Sequence, residues 1–246
     1  MKKSSWLLVF FLALPASSTY AGFWDTLVDV FKGTDKALKG ELDENTVISG
    51  LKQALSVGTK NAVKKVSKND GYFSNPDIKI QMPAQIQDVT NILGKFGFQK
   101  QVDDFTLAMN RSVEKAAPKA LKLFGEAIKE MTIEDAMKLL HGGDTSVTEY
   151  FKDKTSQKIF ETFKPIIASH MEQLGVNKAY QDMISKYESI PFIGMFKESL
   201  DMNNYITKKA VDGLFHMVGE EEKKIRTDPA ARVTDLLKAV FGKLDK

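Results

Sequence analysis

Apolar residues recur every three to four positions along nearly the whole chain, and no stretch of alternating polar and apolar residues exceeds five positions. That spacing predicts helices throughout and an all-α fold. A first segment, FWDTLVDVF, sets Phe23, Trp24, Leu27, Val28 and Phe31 on one side, with Asp25 and Asp29 elsewhere. It reads as a helix docked on a core, because a helix lying on a membrane surface favours lysines, not aspartates, on its polar face. The next helix, from about Thr46 to Ser67, carries Val47, Leu51, Leu55, Gly58, Ala62 and Val66 down one stripe. Gly58 costs about 1 kcal/mol against alanine and is expected where two helices cross closely. Lys60, Lys64, Lys65 and Lys68 fall outside the stripe, on a face that reads as solvated and that could also meet anionic lipid or glycan.

NDGYFSNPDIKIQMP follows, with turn formers at Asn69, Asp70, Gly71, Asn75 and Pro76 and alternating Ile78, Ile80 and Met82. This is the one short extended segment the pattern predicts, lying across the helices with its three apolar side chains as anchors. Pro83 then suits the first position of a helix with the stripe Ile86, Val89, Leu93 and Phe96, ending at Gly97. From Gln99 to Met131 the pattern is helical with Pro118 in its middle, where the lost bond to the Glu114 carbonyl predicts a kink. Thr132 and Asp135 resemble a capping box opening a short helix that stops at His141-Gly142-Gly143, and Asp144 or Thr145 can cap the one after it. A helix from about Ser156 to Leu174 contains Pro165 and has the stripe Ile159, Phe163, Ile166, His170 and Leu174.

After a helix near Lys178 to Tyr187, SIPFIGMFKESLDM is apolar and without clear period, a buried connector or a flap. The last two helices run from about Asn204 to Thr227 and from Pro229 to Phe241, the latter capped by Asp228, with Val233, Leu236, Leu237, Val240 and Phe241 facing the core. No repeat of fixed period is present. The sum is a single-domain multi-helix bundle over residues 22–246, with proline-kinked helices.

The first 21 residues change the picture of where this bundle works. Lys2 and Lys3 precede an apolar stretch from Trp6 to Leu14, then Pro15 and small residues up to Ala21. This is the layout of a secretory signal peptide cut after Ala21, and the apolar stretch is far shorter than the roughly 20 residues a spanning helix needs. The expected location is the periplasm or cell envelope, with no transmembrane segment. There is no cysteine, so neither disulfides nor a lipid anchor at the cleavage site is expected. Without Lys2 and Lys3, 33 basic residues face 32 acidic ones, which removes the electrostatic case for a nucleic-acid partner.

Charge is concentrated in EEEKKIRTDPAARVTDLL, residues 220–237, which holds two of the three arginines. Glu220 with Lys224, and Glu222 with Arg226, are placed as helix pairs worth a few tenths of a kcal/mol each, so most of the run reads as a solvated face. The arginines stand apart, because the chain uses lysine 32 times and arginine three times. Arg111, beside Asn110 in AMNRSVEKAAP, and Arg226 and Arg232, flanking Asp228, are expected where a planar bidentate donor is required. They form either an internal network with carboxylates that locks helices together or an anion site near a helix start.

No phosphate loop, dinucleotide fingerprint, zinc-protease HExxH or GxSxG elbow is present, and no cofactor is expected. His170 reads as a core histidine, His141 as part of a helix end, and His216 with Glu220 as only half of a metal site; the ten methionines read as core packing. No metal is expected. Asp144, with Glu149, is the pair a hydrolase would use, though helix capping is the simpler role for it.

The blocks SGLKQALSVGTKNAV, NPDIKIQMP, AMNRSVEKAAP, HGGDTSVTEYF and EEEKKIRTDPAARVTDLLKAVFG, in this order over about residues 42–242, resemble the domain-of-unknown-function 4197 family of exported bacterial proteins. The resemblance implies a helical envelope protein and brings no activity with it. The residues themselves favour a non-catalytic protein that binds an envelope protein or an apolar or amphipathic molecule. Ile78 and Ile80 in the extended segment and Phe192 and Phe196 in the Pro191 connector are the candidate lining of a pocket between bent helices. The alternatives are a hydrolase acting on an envelope polymer and a structural or assembly factor of the envelope.

Overall fold

The computed structural model describes residues 44–189 and 200–241. The signal-like segment, the FWDTLVDVF helix and the Pro191 connector with Phe192 and Phe196 lie outside these residues. Among the described residues the fold is all-α and holds no strand. In chain order the helices are α1 (Glu44–Ser67), α2 (Ala84–Leu93), α3 (Gln99–Ala116), α4 (Ala120–Glu130), α5 (Ile133–Leu140), α6 (Ser146–Gln173), α7 (Val176–Glu188), α8 (Met202–Thr227) and α9 (Asp235–Phe241). None of them is long and apolar enough to cross a membrane.

α6 and α8 are the long central pair, with α1 and α4 packed against them and α3 against α6. Each contributes one apolar face. In α6 the buried positions step by four, Val147, Phe151, Thr155, Ile159, Phe163, Ile167 and Met171. At the centre the Phe124 ring meets Phe151 and Phe215 edge-on, with centroids 5.1 and 6.0 Å apart, the arrangement the aromatic quadrupole favours. This stripe corrects the one read from sequence. His170 lies one position off it and is half-buried, and Leu174 is exposed, because a strict step of four drifts around a 3.6-residue helix and the buried face follows the neighbours it meets.

Neither internal proline ends a helix abruptly. Pro118 tightens the chain into a 3₁₀ turn, Ala117–Lys119, between α3 and α4, with Ala117 in it and Ala116 and Ala120 beside it all fully buried. Small side chains there let α1 and α6 each pack close against the turn. α6 runs unbroken through Pro165; Pro165 and Glu161, whose carbonyl loses its donor, are both exposed, so water can take the free carbonyl.

α2 begins at Ala84 with Pro83 in the N-cap place and buries Ile86, Val89 and Leu93. Phe96 leaves that stripe and is 59% exposed. The helix loosens there into a π turn, Gly94–Phe98, with Gly97 at φ +87°, which shifts every later side chain out of phase. A second correction concerns the C-terminus. Pro229–Ala231 form only a 3₁₀ turn, capped by Asp228 accepting from Ala230 N at 2.9 Å. α9 starts at Asp235, its entry bound by the Thr234 hydroxyl accepting from Leu237 N at 3.2 Å. Val233 therefore precedes the helix and is 65% exposed, while Leu237 and Val240 are buried.

Between α1 and α2 the chain makes consecutive turns over residues 71–78 and runs without regular structure over 79–83. Asp70 takes a left-handed conformation, φ +64°. Gly71 has to be glycine, since a Cβ there would stand 2.5 Å from the Lys65 carbonyl oxygen. Ile78, Ile80 and Met82 are all buried. Gly213 on α8 admits this segment: a Cβ would stand 2.7 Å from the Tyr72 ring and 3.1 Å from Ile78 Cβ. Gly58 is buried where α1 crosses α8, with Ile225 Cδ1 at 3.4 Å from the Cβ position.

Candidate functional site

Four of the predicted polar residues, Asn110, Arg111, Arg226 and Arg232, fall into two separate junctions, while Asp144 is exposed and Asp228 caps the Pro229–Ala231 turn. At the first, α3 holds the loop after α1. Asn110, fully buried, accepts from Ile80 N and donates to Ile80 O, both at 2.9 Å, as a neighbouring strand would. One turn on, Glu114 Oε1 accepts from Tyr72 N at 3.0 Å and Phe73 N at 3.2 Å. Its Oε2 accepts from Arg111 at 2.7 Å, and Arg111 also donates to Asp70 at 2.8 Å. Hydrogen bonding to Glu114, then the charges of Glu114 and Asp70, strengthen the protonated guanidinium. Tyr72, fully buried, donates its hydroxyl to Ala210 O on α8 at 2.7 Å, and burial pushes its phenol well above the ordinary value.

The second junction joins α5, α6 and α8. Glu222 of α8 takes the place of an N-cap for α6: Oε1 accepts from Val147 N at 3.0 Å, and Oε2 from Thr148 N at 2.9 Å and the Thr148 hydroxyl at 2.7 Å. A carboxylate at these free N–H groups is favoured by hydrogen bonding and by the helix dipole. Arg226 bonds Glu222 at 3.1 Å and reaches the Leu139 carbonyl at the end of α5 at 3.0 Å and the Ser146 hydroxyl at 2.9 Å. Arg232, 3% exposed, donates to Ile225 O at 3.0 Å and Arg226 O at 2.8 Å, the carbonyls that end α8.

Three expectations, two of them for residues 220–237, are corrected here. Glu221 and Glu222 are each 6% exposed, so the solvated face does not include them. Lys224 turns to Glu221, at 3.6 Å, instead of Glu220, and Lys65 of α1 pairs with the same Glu221. Asp144 and Thr145 do not cap α6; Asp144 is exposed, and the Thr145 hydroxyl bonds Glu149 at 3.0 Å. Sequence reading missed Glu114 and the capping role of Glu222. The available signal was an acid three or four residues from a rare arginine.

Among the described residues the surface holds depressions of two kinds. One runs along the exposed face of α8, where Tyr205, Lys209, Asp212, His216, Glu220 and Lys223 follow at helical spacing, a length of about 27 Å at 1.5 Å per residue. Its first part, about 350 Å³, is walled by Asp77 to Gln81, and its second, about 460 Å³, by Asp144, Thr145, Thr148 and Lys152; the two parts share Asp212 and His216. Four lysines and four carboxylates line it. The other depression, about 520 Å³, opens where α1 ends against α3 and the Pro118 turn, lined by Ser67, Asn69, Arg111, Glu114, Lys115, Pro118, Lys119 and His170. Inside, the gap between α1, α6 and α8 is about 20 Å³, room for a single water.

Ile78 and Ile80 do not open onto an apolar pocket. Their side chains plug the core, and what they border is the polar groove beside α8. His216 is exposed in that groove, His141 bonds the Met137 carbonyl at 3.0 Å, and His170 bonds the Ser112 hydroxyl at 3.2 Å. Among the described residues no three histidines, cysteines or acids are grouped as metal ligands.

Comparison with curated proteins and with solved structures finds no match. The sequence model of one family, described as protein of unknown function (DUF4197), matches residues 41–242. That span takes in both junctions, all three arginines and every described helix, and the chain belongs to this family.

Proposed function

We propose that the protein is exported to the periplasm and works there as a non-catalytic binding protein, taking an extended segment of an envelope protein in the groove along α8. The observation that carries this reading is the groove's charge: four cations and four anions spread over about 27 Å. A lining of both signs suits a polypeptide with its own mixed charges and backbone amides, and sets register through complementary pairs. It does not suit an apolar guest. Among the described residues, the gap between α1, α6 and α8, about 20 Å³, is also too small for one, far below the several hundred Å³ of a small-molecule pocket.

Asp144, Glu220 and His216 share the same groove. This favours, as a second reading, a hydrolase acting on an envelope polymer.

The test is native mass spectrometry on protein purified from the envelope fraction, for the wild type and for the charge-swapped pair Asp212→Lys/Lys223→Glu. The expected result is a co-purifying polypeptide that the swap removes while the melting temperature holds, on a chain whose mass begins at Gly22. A bound lipid in place of a polypeptide, or a polypeptide retained by the swapped protein, overturns the binding reading. Polymer cleavage abolished by Asp144→Asn selects the hydrolase.

A further inference from the structure

α1 carries charge of one sign on its exposed side. From Asn45 to Asn69 there are five lysines and no acid, whereas outside that span 30 basic residues face 32 acidic ones. The positive surplus of the chain therefore resides in this helix. Lys60, Lys64 and Lys68 are all exposed and step by four, about 6 Å apart along the helix axis. Among the described residues none of the three has a hydrogen-bond or ion-pair partner, and none lines the depressions described above. They stand on an open helix face.

Packing adds to this face at its seam with α8. Lys65 of α1 and Lys224 of α8 share the one buried carboxylate of Glu221, and Glu220, whose charge also reaches Lys65, lines the α8 groove. The kind of cation narrows the partner. An ammonium is a compact, hydrated point charge on a flexible stem, with no planar fork to match a shaped acceptor. A stripe of a single sign also lacks the paired charges by which the α8 groove would set the register of a polypeptide. What it fits is a continuous negative surface whose anions can move to meet each lysine, and the headgroup layer of an anionic bilayer is such a surface.

We infer that α1 is the face by which the protein rests on an anionic lipid bilayer, with Lys60, Lys64 and Lys68 against the headgroup phosphates. The contact is electrostatic and peripheral, and no helix enters the membrane. It uses none of the residues that line the α8 groove, so its test does not depend on that reading.

The chain from Gly22 onward is floated with vesicles of phosphatidylglycerol in phosphatidylcholine, and with vesicles of phosphatidylcholine alone. Binding is expected to the first only, and sodium chloride at about 1 M, where the screening length falls to about 3 Å, is expected to release it. Lys60→Gln/Lys64→Gln/Lys68→Gln is expected to weaken binding by about a hundredfold, roughly fivefold for each lysine. Lys95→Gln/Lys158→Gln/Lys178→Gln, which removes the same charge from exposed positions on other elements, is expected to bind like the wild type. Lys60→Gln/Lys68→Gln serves as the second variant should the first melt at a lower temperature. The inference is overturned by failure to float with the anionic vesicles, by equal binding to pure phosphatidylcholine, or by an equal loss in the two triple variants. Binding to a sulfated polysaccharide without flotation overturns it as well, and assigns the face to a glycan.

Discussion

Tyr72 shows how one side chain ties a loop to two helices. Its backbone N–H is held by Glu114 of α3, its hydroxyl by Ala210 of α8, and its ring fills the notch left by Gly213. Burial raises the phenol above its ordinary 10.0, so the folded protein keeps the proton where the unfolded chain loses it. The resulting stability is complete below pH 10 and is lost as pH rises beyond it, by about 1.4 kcal/mol per pH unit. Tyr72→Phe is therefore expected to cost about 1 kcal/mol at pH 8, the value of a lost hydrogen bond, and to close that gap by pH 11. Melting curves of the two proteins at both pH values check this; a constant gap would show that the hydroxyl is not buried.

At the scale of elements, the rare arginines and buried carboxylates work at helix ends. Glu222 supplies acceptors to the first turn of α6, Arg226 supplies a donor to the Leu139 carbonyl in the last turn of α5, and Arg232 does the same at the end of α8. Lysine can place a charge at such a position but cannot divide planar donors between two acceptors. Glu222→Ala would strand the amides of Val147 and Thr148 and leave Arg226, itself 11% exposed, without its carboxylate. The expected loss is about 3 to 5 kcal/mol, read by urea denaturation, with faster hydrogen exchange at those two amides. A loss below about 1 kcal/mol would mean that water replaces the carboxylate. The capping box at α5 is more local: Thr132 and Asp135 satisfy each other's backbone N–H at 3.0 and 3.1 Å, and the Thr-x-x-Asp spacing alone was enough to read it.

Across the whole molecule, buried apolar residues from α1 to α9 form one continuous cluster, with Tyr72 and Ile80 of the loop inside it. Both polar junctions fasten elements distant in sequence to this cluster: Tyr72 to Glu114, and Val147 to Glu222. Unfolding by urea is accordingly expected as one cooperative transition, with far-UV ellipticity and near-UV tyrosine absorbance of the full chain giving superimposable curves. Two separated midpoints would place a domain boundary inside the bundle. The two depressions belong to this scale as well, since each is walled by segments that only the packing of α1, α3, α6 and α8 brings side by side.

By itself the sequence determined what depends on neighbours within a turn or two. Period 3.6 settled the all-α class, Thr132 and Asp135 the start of α5, and the scarcity of arginine marked three residues whose bonds are unlike those of the lysines. The tertiary structure alone decided what depends on partners far along the chain. Glu222 reads as one half of a surface pair until the bare N-terminus of α6 is set beside it. Phe96 reads as core until a π turn rotates it outward, and Val233 until α9 starts two residues after it. Ile78 and Ile80 read equally as pocket or plug until α8 closes over them. The reason is common to all of these: a helix's period is written in local bonds, whereas burial, and the partner of a buried charge, are properties of whichever surface the rest of the chain brings against it.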